Sequence, residues 1–421
     1  MPNAIRIDDL AAPRLTEVQR QLVAWGETVE VDFGEAAILA AARERTGLSD
    51  FGPDDFRERL RILREEWGGD AELTRFQRAV LQPYLVRYCA NRLLIQDTLK
   101  RHPEILREEI REPVIVTGLP RSGTTHLVNL LGADARFHSL PLWESYEPVP
   151  NPKEAPLPDG TDPRYQRCAE AWEGMRTASP LLASMHPMHP DHIHEELELM
   201  GPDFASYNFE WLAHSPRWRD HYLATDQTPH YEYLKNALRL VQWRRGPAQR
   251  HKRWVLKCPQ HLEQLPVLAK VFPDATLVFT HRDPVAVIQS TITMQAYNQR
   301  TSRKRVMRQE LLDYWSDRVL HLLRGCVRDR VLFAAERSVD SPFHVFMADP
   351  MAMLARVYAA AGLELTPAAR AELQRYLDEH PRGKEGQVVY DLRADFGVDP
   401  GALRERYRFY MERFAVRPEV K

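Results

Sequence analysis

Apolar residues recur at three- and four-residue intervals from Leu15 to Trp25, Glu35 to Thr46, Pro53 to Trp67 and Leu73 to Arg101. That spacing stacks them on one face, so it predicts a run of amphipathic helices. Asp54 and Thr74 carry short polar side chains that can accept from the unpaired N–H groups of a helix start. Past residue 112 the pattern changes. Short β-rich runs appear at Val114–Thr117, Trp254–Lys257, Ala275–Thr280, Val331–Ala335 and Phe343–Phe346. Most are separated by helical patterns, which argues for a parallel sheet with helices on both faces. The stretch from Trp143 to Gly160 is rich in Pro and Asp and reads as a loop. Ala169 to Trp243 reads as mostly helical, inserted between the first two strands and so over the carboxyl ends where such sheets bind ligands. Thr366 to His380 reads as a helix with Thr366 as its cap and Pro367 in its first turn. A glycine-punctuated tail, Pro381 to Gly397, and a last helix follow.

The 421 residues suffice for one large domain or two ordinary ones, and 44% hydrophobic content suffices for a sizeable core. A net charge of −2 gives no global case for nucleic acid or an anionic membrane as partner. Any anion site must therefore be a local cluster of Arg and Lys. Cys89, Cys168, Cys258 and Cys326 show no pair spacing, which suggests a reducing compartment and no zinc site. Met1 leads into charged residues without an apolar signal core, and no run approaches the length of a transmembrane helix. The expected location is cytoplasmic.

Candidate chemistry concentrates in the stretch Val114-Ile115-Val116-Thr117-Gly118-Leu119-Pro120-Arg121-Ser122-Gly123-Thr124-Thr125-His126-Leu127. An apolar run stops at Gly118, and a helical pattern begins just past Gly123. Strand, glycine loop and helix make a phosphate-binding loop, in which backbone N–H groups and the helix dipole favour an anion. A nucleotide hydrolase needs Lys after the second Gly, and here that position is Thr124. The positive charge sits inside the loop instead, at Arg121. A second anchor is Ala275-Thr276-Leu277-Val278-Phe279-Thr280-His281-Arg282-Asp283-Pro284. It reads as a buried strand ending in Arg-Asp-Pro, with Pro opening a helix. Ser290, eight residues past Arg282, falls about two turns into that helix and can face the strand end.

These two anchors resemble the sulfotransferases that use 3′-phosphoadenosine 5′-phosphosulfate, in particular a bacterial branch with a helical N-terminal region. Trp143-Glu144, His186-Pro187-Met188 with Glu195-Glu196, Arg253-Trp254-Val255-Leu256-Lys257-Cys258-Pro259 with His261, and Ala348-Asp349-Pro350 add to the likeness, which spans about Leu15 to Gly397. The resemblance implies an α/β fold: a P-loop, nucleotide-kinase-like parallel sheet flanked by helices. The expected organisation is a helical region over 1–112 packed on an α/β domain over 113–421, with a helical insertion at about 164–245.

The resemblance also implies roles. Arg121, Ser122, Gly123, Thr124 and Thr125 would hold the 5′-phosphosulfate, and Arg282 and Ser290 the 3′-phosphate. Arg382 or Lys384 would complete the 3′-phosphate site. Glu144, 23 residues after Arg121, matches the place of a catalytic Glu in the tyrosyl-protein enzymes, and Lys257 matches their catalytic Lys. Glu144 is the first choice for general base, with His186 or Glu195 the alternative. Lys257 and Arg121 would stabilise the leaving phosphate oxygen, so no metal is expected. His189 and His192 have an i, i+3 spacing that could suit a metal, but the likeness accounts for this segment without one. Trp211, Trp218, Tyr222, Tyr231, Tyr233 and Trp243 read as core, although their place in the insertion suggests a largely apolar acceptor pocket. The expected reaction moves a sulfuryl group to a hydroxyl of a small, apolar acceptor. A P-loop kinase and a non-catalytic nucleotide-binding module are the alternatives. The kinase would need a Lys at Thr124 and an acidic strand end for Mg²⁺. The module would need neither Glu144 nor Lys257.

Overall fold

The computed structural model describes residues 4–381 and 386–421. Its strands are β1 (Ala4–Arg6), β2 (Val114–Gly118), β3 (Phe137–His138), β4 (Arg253–Lys257), β5 (Thr276–His281), β6 (Ser338–Pro342) and β7 (Gln387–Val389). Five of them form one parallel sheet in the order β3-β4-β2-β5-β6, and β1 pairs in parallel with β7 as a separate ribbon. The central strands β2 and β5 are buried at every residue. Successive side chains point to opposite faces, so Val114 and Val116 pack with Val255, Val278 and Val339 under Leu127, Leu130 and Leu131. Ile115 packs with Leu256, Leu277 and Phe279 under the other helix layer, which includes Leu238 and Ile288.

Chain order reverses direction across the sheet at β2, with β4 on one side and β5 on the other. Ligands of such sheets bind outside the carboxyl ends of the strands at this reversal. Here those ends carry Gly118, Lys257 and His281.

The N-terminal helices span Glu17–Gly26, Glu35–Thr46, Phe56–Gly69 and Arg75–Arg101. The first is closed by a reciprocal Thr16/Gln19 capping box, and Thr74 accepts from the Gln77 N–H at the start of the last. Asp54, expected as a helix start, lies just outside Phe56–Gly69, where Asp55 precedes the first turn without a side-chain capping bond. Phe56, Leu60, Leu63 and Trp67 share a buried cluster with Phe204, Phe209, Trp218 and Tyr222 of the segment between β3 and β4. Arg59 and Arg92 converge on the buried Asp203 carboxylate at 2.9 and 3.0 Å. That segment is helical as expected, over Pro163–Ala178, Pro216–Ala224, Thr228–Arg244 and shorter turns.

Three expectations need correction. Val331–Ala335 is not a strand. Val331 is 81% exposed, and the strand comes later, as β6 with the sequence Ser-Val-Asp-Ser-Pro. As the sheet's edge, β6 is flanked by one neighbour and needs little apolar content; only Val339 enters the sheet-face core. Phe343–Phe346 belongs to the helix Phe343–Ala348, started by Pro342 at its cap. The segment Trp143–Gly160 is not all loop, because Leu142–Tyr146 is a short helix. In addition, the short edge strand β3 has no periodic signal and precedes the insertion, which therefore joins β3 to β4.

Candidate active site

The loop after β2 is shaped by steric exclusion. A Cβ at Gly118 would sit 1.9 Å from Thr280 Oγ1 and 2.8 Å from the Thr280 carbonyl oxygen on β5, so only glycine lets the two strands close at this end. Arg121 (φ +64°) and Gly123 (φ +89°) both adopt the left-handed region, and these two turns fold the loop back onto the helix Thr124–Gly132. The non-glycine at positive φ marks backbone strain at a site held by its surroundings. Ser122 is buried; its hydroxyl donates to the Leu119 carbonyl at 2.5 Å and shares a 2.7 Å bond with Thr280 Oγ1. In this state it shapes the loop. Thr124 is also buried, and Thr125 Oγ1 accepts from Lys257 Nζ at 3.1 Å.

The end of β5 brings in the second anchor. Asp283 caps the helix Pro284–Ser302 by accepting from the Val285 N–H. Ser290 lies on that helix, and Arg121 Nε donates to its Oγ at 3.0 Å. Ser290 Oγ in turn donates to Tyr390 Oη at 3.1 Å. Arg282 Nη1 donates to the Arg121 carbonyl at 2.5 Å, and its guanidinium lies 4.1 Å from the Phe343 ring centre. Arg121 thus touches both Ser290 and Arg282, through its side chain and its carbonyl respectively. Burial pushes the Arg121 guanidinium below its ordinary proton affinity; Tyr390 opposes the shift and Arg282 adds to it. Among the described residues no carboxylate lies within ion-pair distance of Arg121.

The end of β4 supplies the other cation. Lys257 is 1% exposed and pairs with Glu195, while its backbone N–H donates to Glu196 at 2.9 Å. His186, at the end of the turn Leu182–Met185, lies close enough to Arg121 and Lys257 to feel both. Burial, then these two cations, drives its imidazole well below the ordinary histidine range. His194 is lowered in the same way by burial and Lys257, and His192 is pushed down to about 4. In His186, His192 and His194 burial and the neighbouring Lys257 thus disfavour the charged form of the imidazole. His189 stands apart, 3.5 Å from Asp191, and among the described residues no three His, Cys, Asp or Glu side chains converge as metal ligands do.

Glu144 sits elsewhere in this network. Its carboxylate pairs with Arg245, which also donates to His138 Nδ1 at 3.0 Å and the Ser139 carbonyl at 2.7 Å and lies 4.9 Å from the Trp254 ring centre. The short helix carrying Glu144 is bonded to the histidine segment through backbone contacts from Leu142 to His192 and Trp143 to Pro190. Arg382 and Lys384 lie outside the described residues. Of the insertion's aromatics, Trp218 and Tyr222 stack together and pack under the N-terminal helices. Tyr231 bonds His261 at 2.9 Å, Tyr233 lies near Arg92, and the Trp243 ring lies tilted against His102, 4.6 Å between centres. They serve mainly as core. Trp211, against Trp315, is half-buried.

Sequence reasoning missed Thr280, Phe343, Tyr390 and Glu419 around the loop. Thr280 belongs to the β5 sequence, but only the pairing of β5 with β2 brings it onto Ser122. Tyr390 and Glu419 lie in the tail, where no periodicity or motif marks them.

Comparison with known proteins bears on the family and the fold. A family model described as "Sulfotransferase family" matches residues 113–367. Omega-hydroxy-beta-dihydromenaquinone-9 sulfotransferase Stf3 of Mycobacterium bovis is 27% identical over 306 residues, covering 70% of this chain and 75% of its own. The crystal structure of sulfotransferase STF9 from Mycobacterium avium superposes with a TM-score of 0.81 at 25% identity, over 93% of this chain and 100% of that one. Sulfotransferase STF1 from Mycobacterium tuberculosis H37Rv gives 0.75 at 28% identity, over 89% and 98%. The family match spans more than half of the chain and contains the glycine loop, Lys257, Arg282 and Ser290, so this chain belongs to the sulfotransferase family.

Proposed function

We propose that this protein transfers the sulfuryl group of 3′-phosphoadenosine 5′-phosphosulfate to a hydroxyl of a small, largely apolar acceptor. The observation that carries the reading is the partly buried guanidinium of Arg121, set in a glycine loop beside Ser290 and Arg282 with no described carboxylate to neutralise it. Even a half-buried cation is better accommodated when a ligand supplies the counter-charge. The donor supplies two: its 5′-phosphosulfate in the loop formed by Arg121, Ser122, Gly123, Thr124 and Thr125, and its 3′-phosphate between Arg282 and Ser290. The menaquinone derivative named for the Stf3 relative favours an apolar, hydroxyl-bearing acceptor.

In the reaction the acceptor oxygen attacks sulfur while the bond from sulfur to the phosphate oxygen breaks. The electron pair of that bond stays on the phosphate, giving adenosine 3′,5′-bisphosphate. Arg121 and Lys257 stabilise the charge that grows on the leaving oxygen. The acceptor proton goes to a base. Of the three candidates, we favour His186, which is held neutral beside both cations. Glu195 is engaged by Lys257 and Glu144 by Arg245, so each would have to leave its partner first. The neutral imidazole is the competent form and its proton affinity is lowered. Activity is therefore expected to persist as pH falls through 6.5 and to fail only well below it.

The test is incubation with sulfur-labelled donor and a panel of apolar alcohols and phenols, read as a mass gain of one sulfuryl group across a pH series. Transfer whose acidic limb lies well below pH 6.5, and is lost in His186→Ala, supports the reading. Transfer with a limb near pH 7 that survives in His186→Ala but fails in Glu144→Gln returns the base to Glu144. Phosphoryl transfer from ATP without sulfuryl transfer contradicts the donor assignment.

A further inference from the structure

Residues 416–421 fold back over the loop end of the sheet. The Glu419 N–H donates to Asp283 Oδ2 at 2.8 Å, the Val420 N–H reaches the same oxygen at 3.4 Å, and Arg404 bridges Asp283 at 3.3 Å and the Val420 carbonyl. Asp283 is fully buried and also caps the helix that carries Ser290, so the segment is tied to the second anchor itself. This anchoring lays the Glu419 carboxylate against Arg282. Arg282 Nε donates to both its oxygens at 2.9 and 3.1 Å, and Nη2 donates at 2.8 Å. Planar, bidentate pairing of this kind is how a guanidinium also holds a phosphate. Tyr390 Oη meanwhile occupies Ser290. Beside them opens a cavity of about 290 Å³ lined by Gln289, Tyr390, Arg393, Glu419 and Lys421.

We propose that Glu419 is a displaceable internal counter-ion. It holds Arg282 when the site is empty, must leave for the donor's 3′-phosphate to enter, and returns when the bisphosphate product departs. The inference rests on the reading that Arg282 binds that 3′-phosphate. Its consequence is a weakened grip on both donor and product, because apparent affinity scales with the fraction of molecules in which Arg282 is uncovered. Ligands without a 3′-phosphate do not use Arg282 and escape this effect.

The test is calorimetry of adenosine 3′,5′-bisphosphate and of adenosine 5′-monophosphate on the full chain, wild type and Glu419→Gln, with Glu419→Ala and Arg282→Ala alongside. Gln keeps the backbone bonds to Asp283, and an unchanged melting temperature confirms its fold. Both Glu419 variants should bind the bisphosphate roughly tenfold more tightly and the monophosphate within twofold of wild type. An unchanged or weaker bisphosphate affinity, or an equal gain for both nucleotides, overturns the proposal. If wild type then still prefers the bisphosphate and Arg282→Ala removes that preference, the donor reading stands without it. No preference in wild type, together with no effect of Arg282→Ala, removes both.

Discussion

Lys257→Ala is expected to lower sulfuryl-transfer turnover by about 10²–10³-fold while leaving affinity for adenosine 3′,5′-bisphosphate within a few-fold. The side chain is 1% exposed, at the carboxyl end of β4, and donates to Thr125 on the glycine-loop helix. It can therefore reach the region where the bridging oxygen of a bound phosphosulfate would lie. Charge on that oxygen grows only as the sulfur bond breaks, so the lost interaction belongs to the transition state and appears in turnover. Ground-state binding of the bisphosphate would rest mainly on Arg121, Arg282, Ser290 and the loop backbone. The variant leaves Glu195 without its cation, but that carboxylate is 14% exposed and can be solvated. Steady-state kinetics with calorimetry checks the split. Turnover within tenfold of wild type would contradict the role given to Lys257.

Arg318→Met is expected to cost about 3–5 kcal/mol of stability, the range for breaking a buried ion network by removing one partner. Arg318 Nη1 and Nη2 each donate to Glu263 at 2.6 Å, and Nε donates to Glu210 at 2.8 and 3.0 Å. All three side chains are buried at 1% exposure or less. The network joins the helix Arg308–Asp329, the turn Pro259–Glu263 just past Lys257, and the helix Asn208–Leu212. Burial already pushes the Glu210 carboxyl up, against the pull of Arg318. Without the guanidinium, two buried carboxylates face each other and must take up protons or water. Denaturant unfolding measures the loss. Adding Glu210→Gln and Glu263→Gln should restore part of it, because the uncompensated charge is then gone. A loss under about 1 kcal/mol would mean that the network is hydrated and not a structural tie.

How much of this was legible in the sequence depended on which residues carry local signals. The glycine loop announced itself because the Gly118–Thr280 approach and the turn at Gly123 require particular residue types. Arg282 and Ser290 were legible because helix geometry converts eight residues into two turns on one side. The four N-terminal helices were legible from periodicity. The strand β6 was not: an edge strand needs few apolar residues, so Ser-Val-Asp-Ser-Pro carries a weaker strand pattern than the more apolar but exposed Val331 region. Long-range pairing was also invisible. Nothing local says that Glu144 meets Arg245, that Glu195 meets Lys257, or that Glu419 returns to Arg282. Those partners decide which carboxylates are already engaged, and so shift the favoured base from Glu144 to His186.

On the proposed reading, the two anchors form a site for a nucleotide with both a 5′-phosphosulfate and a 3′-phosphate. Titration calorimetry of wild type with adenosine 3′,5′-bisphosphate and with ADP tests it directly. The two ligands differ in where the second phosphate sits. Markedly tighter binding of the bisphosphate is expected, with Arg282→Ala removing roughly 2–3 kcal/mol, the magnitude of a charge-assisted contact. Equal affinity for the two ligands, indifferent to Arg282→Ala, would contradict it.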